Sequence, residues 1–244
     1  MTKVLIISDV HANIIALEAV LADAGKVDEV WCLGDIAGYG PNPNECIERI
    51  RDLPNLTCMM GNHDYAAIGD IALETFNPDA KKALLWQRDR LTEENKEFLH
   101  SMSQQPILCG NVTLVHGSPR DPIWEYIMNT LVARMNLDYY ETLWCFMGHS
   151  HFQAVFQYHA ETDEVTIEVP KPAEIYPMKE RAMLNPGSVG QPRDRDPRSA
   201  YAIFDPEART WEPRRVEYDI LTVQNRIREA GLPPRHADRL SGGW

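Results

Sequence analysis

Apolar residues fall along this chain in two rhythms. The run Val4-Leu5-Ile6-Ile7 is short, unbroken and mostly β-branched, the pattern of a strand covered on both faces. Residues 13–24 then place Ile14, Ile15, Leu17 and Leu21 at helical spacing, and Gly25 supplies a stop. The alternation repeats with a strand over 30–33, a helix over 44–52 and a strand over 56–60. Strands alternating with helices predict a βαβ start with parallel pairing. The charged stretch 79–102, punctuated by Leu and Trp, predicts one or two helices with a break near Leu91-Thr92.

Beyond residue 106 the rhythm changes. Strands with short turns are predicted over 107–109, 112–115, 143–147, 155–158, 165–169, 181–184, 201–204 and 211–216. A final helix over 220–230 precedes a Pro- and Gly-containing end, 232–244, which is expected to be loose. No internal repeat, low-complexity tract or linker interrupts the chain. The expectation is one domain, 1–244, with an α/β first half and a second half of α+β character, built as two sheets with helices outside.

Composition narrows the picture. Hydrophobic residues make up 44% and charged residues 25%, enough for a buried core and against disorder. A net charge of −12 argues against the broad basic surface that follows nucleic-acid backbones, so nucleic acid is not the expected partner. Cys32, Cys46, Cys58, Cys109 and Cys145 are odd in number and form no CxxC pair, which suits free thiols in a reducing compartment. The apolar stretch at the N-terminus is too short for a signal peptide, and no run reaches membrane-spanning length. The expected location is the cytoplasm.

Five segments carry the chemistry: Ser8-Asp9-Val10-His11, Gly34-Asp35, Gly61-Asn62-His63-Asp64, Val115-His116-Gly117 and Gly148-His149-Ser150-His151. Each follows a predicted strand, the position where open α/β sheets bind ligands. Asp9 and His11 are two apart, so an extended strand end sends both side chains to one face, and His149 and His151 repeat that spacing. Asp35 offers two carboxylate oxygens that can bridge two cations, Asn62 an amide oxygen and His116 a ring nitrogen. This mixed N/O set without thiolate suits Mn, Fe, Zn or similar ions better than a structural zinc cage. Seven ligands are too many for one small ion and suit two. Taken singly, each residue has a plainer explanation. Asp9 or Asp35 can cap a following helix, Asn62 can shape a turn, His116 can be a satisfied core histidine, and an HxH pair can sit on an exposed strand.

D-x-H, G-D, G-N-H-D, V-H-G and G-H-x-H in this order resemble the calcineurin-like metallophosphoesterase superfamily. The later Asn185-Pro186-Gly187-Ser188 is similar to a turn in smaller members, the YfcE-like phosphodiesterases and PP2A-related bacterial phosphoesterases. The resemblance implies a four-layer αββα sandwich and two divalent metal ions. Asp9, His11 and His151 would hold one, Asn62, His116 and His149 the other, with Asp35 bridging. It further implies hydrolysis of a phosphodiester or phosphomonoester by attack of a metal-bridging hydroxide, with His63 as general acid and Asp64 orienting its imidazole.

One departure matters. Gly34-Asp35-Ile36-Ala37-Gly38-Tyr39-Gly40-Pro41 lacks the G-D-x-x-D-R arginine of the phosphoprotein-phosphatase branch. Phosphate contact then falls to the metals, to His63 and to Arg193, with Tyr39 in reach, although Arg193 can equally be a solvated residue of a surface turn. Phe76, Trp124, Tyr126 and Tyr176 lie in loops that either line a leaving-group pocket or simply pack. The expected partner is a small phosphorylated substrate, nucleotides included. A nuclease of the same fold is disfavoured by the acidic chain, and a non-catalytic scaffold by the intact ligand set. A TIM-barrel amidohydrolase would open on HxH rather than DxH.

Overall fold

In the computed structural model, which describes residues 2–244, the chain begins with β1 (Val4–Ile7), α1 (Ile14–Ala24), β2 (Glu29–Cys32), α2 (Pro43–Arg51) and β3 (Leu56–Cys58). Three more helices follow: α3 (Asn62–Ile68), α4 (Pro78–Arg88) and α5 (Glu93–Ser101). Next come β4 (Ile107–Cys109), β5 (Val112–Leu114), α6 (Thr130–Asn136) and β6 (Trp144–Phe146). A strand-rich stretch contains β7 (Ala154–His159), β8 (Glu164–Glu168), β9 (Tyr176–Pro177), β10 (Ala182–Asn185), β11 (Ser199–Asp205) and β12 (Thr210–Val216). The chain ends on α7 (Ile220–Glu229) and α8 (Pro234–Asp238).

Helix boundaries follow local chemistry. Asn13 caps α1 by accepting from the Ala16 N–H, and Gly25 closes it at φ 65°. Asn77 and Thr92 cap α4 and α5 in the same way, so the break near Leu91-Thr92 is a fresh helix start. Each such cap contributes about 1 kcal/mol.

The strands form two six-stranded sheets, ordered β3-β2-β1-β11-β12-β9 and β4-β5-β6-β10-β7-β8. β1, β2 and β3 are mutually parallel in the first sheet, and β5, β6 and β10 in the second. β1 shows how the layers stack. Val4 and Ile6 face the second sheet and pack with Phe146, Leu184, Phe204 and Trp211, whereas Leu5 and Ile7 face Leu17, Val20, Ile47 and Ile50 of α1 and α2. Both faces of the strand are therefore buried, which is why its sequence is continuously apolar. On the far side of the second sheet, Cys145, Phe156 and Met183 meet Ala133 of α6 and Leu137. The layers run helix, sheet, sheet, helix, as expected. No helix among the described residues is long and apolar enough to cross a membrane.

The structure departs from the sequence reading in four places. α3 occupies part of an expected loop, because its first turn buries the polar residues Asn62, His63 and Asp64 and only its short second half, Tyr65 to Ile68, packs on the core. α6 is only seven residues long, too short for periodicity to register, and the two-residue β9 pairs with β12 without a sequence signal. The end expected to be loose instead folds into α8 and a 3₁₀ turn over Arg239–Ser241. Leu232, Ala237 and Leu240 pack there against Val223 and Ile227 of α7, an apolar spacing hidden in the sequence by intervening prolines and glycines.

Candidate metal centre

The seven candidate ligands come together at the carboxyl ends of the parallel strands. Asp9 and His11 follow β1, Asp35 follows β2, Asn62 follows β3, His116 follows β5, and His149 and His151 follow β6. Convergence does not arise from extended strand ends, as the spacing suggested. Asp9 (φ 54°), His11 (φ 49°), Asp35 (φ 56°), His149 (φ 64°) and His151 (φ 58°) all sit in the left-handed region. Non-glycine residues there cost about 1–3 kcal/mol each and persist only where surroundings over-determine them. Here the loops zip together: Asp9 N–H donates to Gly34 O (3.0 Å), His11 N–H to Asp35 O (2.9 Å) and Gly190 N–H to Asp9 O (3.0 Å). Gly61 is required for close approach, since a Cβ on it would lie 2.0 Å from Asp35 Oδ1.

Protons define the site. His11 Nδ1–H donates to Ala37 O (2.9 Å) and His151 Nδ1–H to Gln191 O (2.6 Å), so in the neutral rings both Nε2 atoms carry lone pairs. Those two nitrogens face each other at 3.1 Å. Asp9 Oδ1 stands 3.3 Å from His151 Nε2 and has no hydrogen-bond partner. The pattern repeats alongside. His116 Nδ1–H donates to Leu33 O and His149 Nε2–H to Trp124 O, which turns His116 Nε2 and His149 Nδ1 toward each other at 3.2 Å, with Asn62 Oδ1 3.3 Å from the former. Asp35 Oδ2, buried and unpartnered, lies 3.6 Å from both His11 Nε2 and His116 Nε2. Imidazole lone pairs face one another and the unpartnered carboxylate oxygens, an arrangement that cations complete. Two groups can hold an ion, Asp9-His11-Asp35-His151 and Asp35-His116-His149, and Asp35 belongs to both. The plainer alternatives do not account for the set: Asn13 rather than Asp9 caps α1, Asp35 accepts from the His63 N–H at the first turn of α3 (2.9 Å) with Oδ1 alone and leaves Oδ2 free, and Asn62 opens α3 with its oxygen turned to His116.

Burial sets the electrostatics. It pushes the Asp9 carboxyl up to about 7 and, with the Asp64 charge beside it, lifts Asp35 well above the carboxylate range. It draws His11, His63, His149 and His151 well below the usual imidazole value. Neutral imidazoles are the metal-binding form, and bound cations reverse the penalty on the carboxylates.

His63 stands at the first turn of α3, its ring 4.9 Å from that of His11, 4.5 Å from Tyr39 and 5.0 Å from Phe76. Asp64 does not orient it. The Asp64 carboxylate accepts from the backbone N–H groups of Asp35 (2.7 Å), Ala37 (2.8 Å) and Gly61 (3.0 Å), while His63 Nδ1 has no partner. Asp64 thus holds the two loops that present Asp35 and Asn62. Tyr39 is buried beside His11, and Arg193 Nη2–H donates to its hydroxyl (3.2 Å), so both residues belong to this neighbourhood. Of the loop aromatics, Phe76, Trp124 and Tyr126 surround the centre through contacts with His63, one another and His149, whereas Tyr176 lies on the sheet-edge strand β9.

Sequence reasoning missed the residues that hold these loops. Gln87 of α4 accepts from Gly38 N–H (2.7 Å) and donates to Gly40 O (2.8 Å). Asn185 Nδ2 donates to Gly148 O (2.7 Å) and Ser150 Oγ (3.0 Å), and Ser188 Oγ donates to Asp9 O (2.8 Å). For the last two the Asn-Pro-Gly-Ser turn was the available signal. Gln87, and Arg239 at the end of the chain, gave none.

The family profile described as the calcineurin-like phosphoesterase superfamily domain matches residues 2–209. An uncharacterized protein of Methanocaldococcus jannaschii, MJ0912, is 38% identical over 246 residues, spanning 98% of this chain and 97% of its own. The crystal structure of a metallophosphoesterase from Sphaerobacter thermophilus superposes with a TM-score of 0.92 at 46% identity, covering 100% of this chain and 99% of that one. Hypothetical protein PH1004 from Pyrococcus horikoshii OT3 shares the fold, with a TM-score of 0.78, 21% identity and coverage of 100% and 99%. With its sandwich of two sheets and a buried Asp/His cluster at their strand ends, this chain belongs to the calcineurin-like phosphoesterase superfamily.

Proposed function

We propose that the protein hydrolyses small phosphate esters, diesters or monoesters, at a centre of two divalent cations such as Mn, Fe or Zn. Asp9, His11 and His151 would hold one cation and Asn62, His116 and His149 the other, with Asp35 shared. One observation carries this reading: unprotonated imidazole nitrogens and orphaned carboxylate oxygens face one another on both sides of Asp35. When bound, two such cations polarise the phosphoryl group and acidify water.

The chain's own groups do the rest. His63 faces the centre with its ring unengaged at Nδ1; burial lowers its proton affinity, so the ring would take up a proton only beside the anionic substrate, pass it to the departing oxygen and return to the neutral form. Arg193 supplies a guanidinium beside the ligands, held by Tyr39, to fix phosphoryl oxygens. Phe76 and Trp124 shelter the His63 side from water. The net charge of −12 favours a small substrate over a nucleic-acid polymer, and the absence of disulfides among the five cysteines supports a reducing, cytoplasmic setting.

The test is hydrolysis of bis-p-nitrophenyl phosphate and p-nitrophenyl phosphate by protein loaded with manganese, iron or zinc. Turnover is expected only with metal, and Asp35→Asn is expected to lose both metal and turnover. No turnover of either ester with any of these metals, or full activity in Asp35→Asn, rejects the proposal.

A further inference from the structure

The polypeptide after residue 209, beyond the part that matches the family, returns to the metal centre. Its helix α8 sets the His236 ring 4.9 Å from that of Tyr39, and the following turn brings Arg239 to Gln191. Gln191 Oε1 accepts from Arg239 Nη1 (3.1 Å) and from Arg193 Nη2 (3.1 Å), so one neutral oxygen serves two guanidinium groups. The other partner of Arg193 is neutral too, the Tyr39 hydroxyl, whereas Arg239 also reaches the main-chain oxygen of the last residue, Trp244. Arg193 Nε is buried with no partner.

Other arginines nearby are satisfied differently. Arg198 pairs with Asp196, Arg214 with Glu212 and Arg215 with Asp194, while neither Arg193 nor Arg239 meets an aspartate or glutamate among the described residues. Burial and the Arg193 charge draw the Arg239 guanidinium down to about 10. Two guanidinium charges crowded on one neutral oxygen, with the buried Arg193 Nε left unpartnered, form an arrangement that an anion completes.

The two arginines differ in position. The Arg193 N–H donates to His151 O (3.3 Å), and its charge bears on Asp9, His11, Asp35 and His63. The Arg239 charge bears instead on Tyr39 and His236. Arg193 therefore stands beside the centre and Arg239 one step further out, across the side chain of Gln191. Gln191 also accepts from His151 through its main-chain oxygen, which ties this pair rigidly to a candidate ligand.

We propose that Arg193, Gln191 and Arg239 form a second anion subsite for a phosphoryl group adjoining the one cleaved, which makes the substrate a diphosphate or longer polyphosphate ester. The placing of the cleaved group rests on the phosphoesterase reading above. The planar forks suit phosphoryl oxygens, and Gln191 Oε1 holds both in register.

Isothermal titration of the full-length protein as isolated, with inorganic pyrophosphate and inorganic phosphate, reads the subsite without turnover. Pyrophosphate should bind roughly tenfold or more tightly than phosphate, the worth of one or two charge-assisted hydrogen bonds. Arg239→Ala should lower that ratio by about fivefold or more, and so should Arg239→Gln, which keeps a donor for Gln191 and spares the packing of the tail. Arg235→Ala, an exposed arginine of the same tail, should leave the ratio within about twofold. A wild-type ratio near one overturns the subsite. So does a ratio that survives both Arg239 substitutions or falls equally in Arg235→Ala. Failure of the phosphoesterase reading shows separately, as absent hydrolysis of p-nitrophenyl phosphate by metal-loaded protein.

Discussion

At the scale of single residues, two groups give the sharpest expectations. His63 touches the centre through ring contacts and makes no hydrogen bond at Nδ1, so His63→Gln should keep its metal. Its kcat should fall by about 10²–10⁴ on an alkyl ester, whose leaving oxygen needs a proton, and far less on a nitrophenyl ester. Equal losses on both esters would contradict a proton-donor role. Asp9, held by burial at about 7, is protonated below that pH in cation-free protein, so cation binding there must expel a proton. Manganese affinity should therefore fall as pH drops through about 7, and the raised Asp35 carboxyl adds to the same trend, which titrations between about pH 5.5 and 8.5 would read. His11, His149 and His151, lowered by burial, add no competing proton near neutrality. The linkage to folding has the opposite sense. Without cations, a carboxyl whose folded value is raised stabilises the fold at low pH, and that contribution disappears as pH rises through about 7.

Between single residues and the whole fold lie the loops, and buried amides hold them. Gln87 of α4 satisfies both Gly38 N–H and Gly40 O, so Gln87→Leu strands two buried backbone groups. The expected cost is about 1–3 kcal/mol, or about 2–4 °C of melting temperature per kcal/mol in a chain of this size. An unchanged melting temperature would show that these bonds are dispensable. Gln87 also marks what the sequence conceals. The ligands were legible because each chemical segment follows an apolar run: Val4-Leu5-Ile6-Ile7 announces both β1 and the Asp9-His11 loop behind it. The clamps were not, because a glutamine inside a charged helix looks like a solvated residue until the neighbouring loop is in place. α3 was missed for a related reason. Its buried first turn is polar, and Asp64 there spends its carboxylate on three backbone N–H groups rather than on the His63 ring. The left-handed backbone at Asp9, His11, Asp35, His149 and His151 was likewise invisible. The spacing of two that suggested extended ends led to the right residues by the wrong geometry.

For the molecule as a whole, the two sheets share one apolar interior and present their ligand loops at a common end. Ile6, Leu33, Phe146 and Trp211 come from both sheets and pack in a single cluster, which leads to the proposal that residues 1–244 unfold as one domain. A single calorimetric transition is expected, and manganese at about 100 times its dissociation constant should add about 2.7 kcal/mol of stability per ion. Two separate transitions, or no shift on adding and chelating metal, would count against it. The central claim is that ligands from both sheets hold two cations around Asp35. Anomalous diffraction from crystals of the manganese-loaded protein tests it most directly. It should reveal two peaks, one among Asp9, His11 and His151 and the other among Asn62, His116 and His149, with the Asp35 carboxylate between them. One peak alone, or none within reach of Asp35, would contradict it.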